Sequence, residues 1–399
     1  MADPDAMPDA TPDAMPDATP DVTLGGALGR MLGALARDPD VGGAQLRAWD
    51  AADRYLLEYA AAEFPQALAG EVAVIDDTHG ALTLGAELLG AASVRVHQDS
   101  IVGRRALARN AQATGLAGGG QHPLASVVTS STSLVLLRMP RSLARLDAVA
   151  RAVAAAVGPD AVLLAGNRVK HMTPTQNEVL VASFARVDVT HARAKSRIIV
   201  GRGPRADVPP LRPEMTQLQP PSGAALTVVA LPGVFAGASL DIGTRALLAT
   251  FDTLPPFERA IDLACGTGIV AVALARVAPH ARVLASDVSA IAVESARLTA
   301  DAAGARIDTR HDDGLSAEPD ASADLVVLNP PFHAGAAVTT EIAHRLFADA
   351  ARTLRPGGEL RVVWNTHLGY RPVLERLVGP TRQLARGPKF TVTASRRID

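Results

Sequence analysis

Arg259-Ala-Ile-Asp262-Leu-Ala-Cys265-Gly266-Thr-Gly268, running straight into Ile269-Val-Ala-Val-Ala-Leu-Ala-Arg-Val277 and then Arg282-Val-Leu-Ala-Ser-Asp287, decides the fold of this 399-residue chain. An apolar run carries an acid at its end, two glycines turn the backbone, a helical pattern follows, and a second β-rich run ends on another acid. Strand, glycine loop, helix and strand in that order predict a parallel sheet with helices on both faces. Glycines at 266 and 268 let backbone N–H groups and the helix start face a ligand. Asp287 lies 19 residues past Gly268, close to the ~20 expected of an acid that holds ribose hydroxyls.

Downstream, Asp324-Leu-Val-Val-Leu328 closes on Asn329-Pro330-Pro331-Phe332-His333, 67 residues after Asp262. Such a turn at a strand's carboxyl end presents two fixed oxygen acceptors, the Asn329 amide oxygen and the Pro330 carbonyl, beside an aromatic face. Methylation of a planar exocyclic amine needs that geometry, because the lone pair is delocalised into the ring and the amine must be aligned with an activated methyl. Nicotinamide chemistry uses a similar loop, but it calls for a fuller Gly-x-Gly-x-x-Gly, and it leaves the Asn-Pro-Pro-Phe turn without a purpose.

The remaining patterns extend the same sheet. Ser289 is placed to cap a helix that Gly304 ends. Ile342, Leu346, Phe347, Ala350 and Leu354 share one face of a further helix, which Pro356-Gly357-Gly358 should break before strand Glu359–Trp364. Lys389–Thr393 reads as a closing strand. Residues 23–200 show a worn copy of this plan: Val74-Ile-Asp76 against Ile261-Asp262, Val94–Asp99 against Val283–Asp287, and Leu134–Pro140 against Leu325–Pro331. In the copy, Asp76-Asp77-Thr78-His79-Gly80 has a single glycine, so side chains fill the space where a backbone should approach a ligand, and Arg138 stands where Asn329 stands. The first half is therefore expected to bind no donor and to serve as scaffold and RNA platform.

Four segments follow: a Pro/Asp-rich tail over 1–22, a degenerate domain over 23–200, a linker with six prolines over 201–222, and a catalytic domain over 223–399. The tail repeats Pro-Asp-Ala with no basic group, cannot bury a core, and reads as disordered. It carries six Asp, so a chain of net charge −2 has a body with 39 basic against 35 acidic residues, a mildly basic surface compatible with RNA. Hydrophobic content of 48% with 20% charged residues is ordinary for a globular protein, and 3% aromatics argues against a single-strand binder built on stacking. No stretch of about 18 apolar residues occurs and the tail lacks signal-peptide regions, so a soluble cytoplasmic protein is expected, without membrane partner. One cysteine and ten scattered histidines give no metal-binding pattern. Cys265, inside the donor loop, faces the wrong ligand for a nucleophile.

On these residues the chain resembles the class I S-adenosylmethionine-dependent methyltransferases of the "methyltransferase small" group, and within it the bacterial ribosomal RNA guanine-N2 methyltransferases. The resemblance is carried by Pro232-Gly-Val-Phe235, Leu240-Asp-Ile-Gly243, Asp262–Gly268, Asp287-Val-Ser289, Asn329–His333 and Gly357–Leu360. Asn167–His171, Asn365–Leu368 and Lys389-Phe390 look closer to the large-subunit (23S) enzyme than to the small-subunit (16S) one. It implies an α/β fold of two tandem Rossmann-like domains, each with a seven-stranded, mostly parallel, doubly wound sheet, the N-terminal one a degenerate duplicate. The implied cofactor is S-adenosylmethionine and the implied partner is ribosomal RNA or a ribosomal subunit, bound by a monomer. Asp262 and Gly266–Gly268 would surround the donor's methionine end, Asp287 its ribose, and Asp313, with Asp312 as competitor, its adenine amine. The usual first glycine of the loop is Ala264 here. Phe332 would stack on the base. Pro331, His333, Phe235 and Lys389 are candidate substrate contacts, although His333 serves equally to bond its own turn and Phe235 to staple the next helix. Arg386, Lys170 and Arg193 are further phosphate candidates. Amine methylation of a protein glutamine or of adenine N6 shares the acceptor geometry, and an RNA-binding assembly factor with a relict pocket is the non-enzymatic alternative.

Overall fold

A computed structural model describes residues 22–40, 46–221, 223–331 and 336–398. Residues 1–21 of the expected tail, Phe332 and His333 lie outside these residues, and Val22, expected as the tail's last residue, opens the first helix. Among the described residues, sixteen strands form three sheets. The first sheet comprises β1 (Glu71–Ile75), β2 (Ser93–His97), β3 (Gly120–Gln121), β4 (Thr132–Arg138), β5 (Val162–Arg168), β6 (Phe184–Val189) and β7 (Ser196–Pro204). A hairpin of β8 (Glu214–Leu218) and β9 (Leu226–Ala230) follows. The last sheet comprises β10 (Arg259–Leu263), β11 (Arg282–Asp287), β12 (Asp308–His311), β13 (Ala323–Leu328), β14 (Leu354–Asn365), β15 (Thr381–Arg386) and β16 (Phe390–Arg396).

The strand orders are β3-β2-β1-β4-β5-β7-β6 and β12-β11-β10-β13-β14-β16-β15, the same winding twice. Within each sheet the first five strands are parallel and the last pairings antiparallel. Alternation along each strand sends apolar side chains to both faces. Val72 and Val74 pack under helices Val22–Ala34, Ala51–Glu63, Ala81–Leu88 and Ile101–Thr114, while Ala73 and Ile75 meet Leu143–Ala156 and Pro174–Val181. In the second sheet Ala260 and Val327 face helices Ile242–Leu248, Ile269–Val277 and Ala290–Ala303, and Ile261 and Val326 face Ala336–Thr353 and Arg371–Leu377. Burial on both faces is why these strands read as continuous apolar runs.

Superposing the two windings corrects the internal alignment. Asp76 and Ala264 each follow the first strand with positive φ (61° and 59°), and Gly80 and Gly268 each precede a helix in the left-handed region. Asp76 therefore corresponds to Ala264 rather than Asp262. Gln98, not Asp99, corresponds to Asp287: each lies two residues before a capping serine and accepts that serine's N–H at 2.9 Å. Apolar runs align strands but carry no information on where a loop begins, so the offset was invisible in the pattern.

Other expectations are corrected in detail. The stretch 201–222 holds the end of β7 and all of β8, because Pro209, Pro210 and Pro213 fall between strands where no ladder N–H is needed. Leu354 belongs to β14 rather than to the helix before it, with Gly357 (φ 80°) supplying a bend inside the strand segment.

The halves meet along a pseudo-symmetric seam. Ser100 and Ser289, the N-caps of Ile101–Thr114 and Ala290–Ala303, form an antiparallel bridge. Ile101 N–H donates to Val288 O at 3.0 Å and Ala290 N–H to Asp99 O at 3.1 Å.

Candidate active site

The loop after β10 is built as a cradle. Gly266 has φ 52°, and a Cβ there would meet nothing within 4 Å, so open space borders it. Its N–H donates to Asp287 Oδ2 at 3.0 Å. Gly268 is needed for another reason: a Cβ would lie 2.8 Å from the Ala296 Cα, so its absence lets the two helices approach. Ala264 carries a side chain at φ 59°, where glycine is at ease.

Asp262 is 3% exposed and its Oδ2 accepts from Ala271 N at 2.9 Å. Burial pushes its pKa up to about 8 against that hydrogen bond, with the Asp287 charge adding to the rise. Asp287 is pushed up to about 6, again by burial, against hydrogen bonds from the Gly266 and Ser289 N–H groups. Burial also drives the Cys265 thiol well up, so the group is a neutral wall.

Asn329, Pro330 and Pro331 border the same cavity of about 280 Å³ as Asp262, Gly266 and Asp287. Asn329 Nδ2 donates to Asp241 Oδ2 and to Thr244 Oγ1, both at 3.0 Å. A carboxylate accepts only, so the amide nitrogen must face it and the amide orientation is unambiguous. Both amide hydrogens are thereby used. Asn329 Oδ1 is buried and has no hydrogen-bond partner among the described residues, an arrangement that costs stability unless a ligand satisfies it. Gly243 makes the approach possible, since a Cβ there would lie 3.3 Å from that oxygen. Phe235 borders the cavity and is 56% exposed.

A second cavity of about 380 Å³ continues from Ala264, Asp287 and Pro331 to Asp313 and Arg345, and its far wall comes from the first half, including Thr78, Ser100 and Val102. Asp313 faces this space, paired to Arg345 Nη2 at 2.6 Å, and burial pushes its pKa up against that cation. Asp312 is turned inward. Burial raises its pKa, but hydrogen bonds from Ser316, Ala317 N, Asp313 N and Arg105 outweigh it and hold it low. Lys389 is exposed and borders neither cavity, and Arg193 is paired with Glu58 at 3.0 Å.

Sequence reasoning missed Asp241 and Thr244, the partners of Asn329, and the first-half wall of the second cavity. The Leu240–Gly243 stretch stood out only as part of a resemblance, and a helix N-cap followed by a third-position hydroxyl was its one physical signal.

In the first half the equivalent places are filled. Arg138 binds Asp53 at 2.6 and 2.7 Å and Asp50 at 3.0 Å, Asp50 being an N-cap as Asp241 is. Arg145 pairs with Asp76 at 2.7 Å, and His79 is buried between Asp40 and Ala48. Among the described residues no group of His, Cys, Asp or Glu is placed to hold a metal ion, and no helix is long and apolar enough to cross a membrane.

Fold and cradle together define a class I S-adenosylmethionine-dependent methyltransferase with a duplicated Rossmann-like architecture. Residues 225–394 match the methyltransferase small domain and residues 30–205 the RLMG N-terminal domain. The chain is 37% identical over 369 residues to ribosomal RNA large subunit methyltransferase G of Streptomyces avermitilis, covering 90% of this chain and 95% of that one. It is 35% identical to the Pseudomonas aeruginosa protein of the same name, covering 90% and 96%. A solved T. thermophilus 16S rRNA methyltransferase, RsmC, in complex with AdoMet and guanosine, shares the fold with a TM-score of 0.71 at 24% identity, over 82% of this chain and 88% of that one. The chain belongs to the ribosomal RNA large subunit methyltransferase G family.

Proposed function

We propose that this enzyme methylates the exocyclic N2 amine of a guanine in large-subunit (23S) ribosomal RNA, acting in the cytoplasm where ribosomes are assembled. The observation that carries the reading is the buried Asn329 Oδ1, without a partner among the described residues and fixed at the edge of the cavity that would hold the donor. The names of the large-subunit relatives and the guanosine bound by the T. thermophilus protein support the choice of substrate.

Bound S-adenosylmethionine supplies a methyl group already activated by its sulfonium. Asp287 and its backbone donors would hold the ribose, Asp313 the adenine amine, and Asp262 with Ala264, Gly266 and Gly268 the methionine end. Asn329 Oδ1 and the Pro330 carbonyl each accept one N–H of the target amine. The two acceptors draw the nitrogen toward tetrahedral geometry and stabilise the positive charge that develops there, after which its proton leaves to water. Each preorganised group of this kind is worth on the order of 3 kcal/mol. Phe332 would stack on a base taken out of its helix, and Pro331 and Phe235, which border the cavity, would contact the substrate, as would His333. Lys389 would contact RNA only outside the cleft.

The test uses radiolabelled donor with ribosomal RNA, intact subunits, DNA or release factor, followed by identification of the modified nucleoside. N2-methylguanosine in RNA is expected, and Asn329→Ala should lower kcat by about 10²- to 10³-fold while donor affinity is kept. Label confined to protein, or found in adenine, would refute the substrate assignment.

A further inference from the structure

Asp241 is used on one side only. Its Oδ2 accepts from Asn329 Nδ2 at 3.0 Å and from Thr244 N at 3.1 Å, whereas Oδ1 makes no hydrogen bond among the described residues. The residue borders the cavity that holds Asn329 and Pro330. The Asp241 carboxylate, bonded to the Asn329 amide through Oδ2, thus brings a further acceptor oxygen to the cavity that Asn329 lines.

Resting on the guanine-N2 reading, we infer that Asp241 is the specificity-determining residue of the site, accepting guanine N1–H through Oδ1 while Oδ2 fixes the Asn329 amide. Guanine carries N1–H next to its N2 amine, two adjacent donors that match the acceptor oxygens of Asp241 and Asn329. A purine whose N1 is a bare acceptor turns a lone pair toward the carboxylate and leaves a charged acceptor unpaired, a mismatch that discriminates strongly. The first half keeps a carboxylate at the same N-cap but saturates it with Arg138, so the reading surface exists only where an amide replaces the cation.

The isosteric variant separates the two roles. In Asp241→Asn the new side-chain oxygen must face Asn329 Nδ2 and Thr244 N, both donors, so its NH2 occupies the former Oδ1 position. That variant keeps the Asn329 clamp and reverses the polarity presented to N1. Asp241→Ala loses both functions, and Thr244→Val loosens only the clamp.

The experiment uses the full chain and a synthetic RNA spanning the methylated nucleotide once mapped, with guanosine, 2,6-diaminopurine riboside or 2-aminopurine riboside at that position. All three carry the 2-amine, and only guanosine carries N1–H. The unaltered enzyme should prefer guanosine by about 100-fold or more in kcat/KM over both analogues. Asp241→Asn should shrink that ratio at least tenfold through loss on guanosine, with the donor Kd from calorimetry within about twofold of the unaltered enzyme. Thr244→Val should lower kcat without changing the ratio.

Comparable methylation of guanosine and analogue RNAs by the unaltered enzyme would overturn the assignment without any variant. So would an unchanged ratio in an Asp241→Asn protein that binds donor normally. If the unaltered enzyme leaves guanosine unmethylated, the N2 reading itself fails, and the role of Asp241 fails with it.

Discussion

In the proposed site, Asp262 would couple donor binding to a proton. Its raised pKa of about 8 means that near neutral pH the free site holds the carboxyl protonated. The sign follows directly: an acid whose folded pKa is raised keeps a proton that the unfolded chain has lost. Its stability contribution is full below the ordinary carboxyl range and fades as pH rises toward 8. A cationic donor beside the group favours the carboxylate, so binding should expel protons between about pH 6 and 8. Calorimetry at pH 7 in buffers of different ionisation enthalpy should show that release, and Asp262→Asn should remove most of it. Ala264 is strained in the opposite sense of chemistry, by its backbone. Ala264→Gly should stabilise the protein by about 1 kcal/mol in denaturant unfolding, the left-handed penalty less the extra entropy glycine loses. A destabilised Ala264→Gly protein would show that the methyl group's contacts outweigh the backbone cost. The residue types at 262, 266, 268, 287 and 329 are legible in the sequence, because each is demanded by local geometry or by hydrogen-bonding capacity. The Asn329 clamp is not, since Asp241 and Thr244 reach it across 88 and 85 residues of chain.

Among elements, the crossing of helices Ile269–Val277 and Ala290–Ala303 is the most sensitive point. Gly268 touches Ala296 so closely that a Cβ would sit 2.7 Å from the Ala296 Cβ, with its own φ at 76°. Gly268→Ala should therefore cost about 2 kcal/mol or more, combining overpacking with left-handed strain, and should displace the cradle enough to weaken donor binding. Thermal unfolding and calorimetry on the same sample check both effects, and a fully stable variant would mean that the two helices can part cheaply. The boundaries of these helices were legible in the sequence: Ser289 and Gly304 bracket Ala290–Ala303 as cap residues should. The short strand β8 was hidden because prolines around a two-stranded hairpin resemble a linker in composition, and only its pairing with β9 gives it structure.

Across the whole molecule, the degenerate half walls the cavity beside Asp287. The Asp99 carboxylate accepts from Ser289 Oγ at 2.5 Å and from Ile291 N at 2.9 Å, directly behind the Asp287-Val288-Ser289 segment. Asp99→Ala should lower stability by about 1 to 3 kcal/mol and weaken donor affinity severalfold, although Asp99 lies in the other half of the chain. Unchanged donor affinity would show that the seam braces the fold without shaping the cleft. The sequence by itself determined the repeated winding, the glycine loop after β10 and the Asn329–Pro331 stretch after β13, because strand periodicity, glycine conformation and caps are local properties. Which first-half residues wall the cleft, which of Asp312 and Asp313 faces it, and how the Asn329 amide is turned were decided only by tertiary structure. Those features depend on contacts between segments far apart in the chain, where the direction of a side chain is set by its packing neighbours and not by its type.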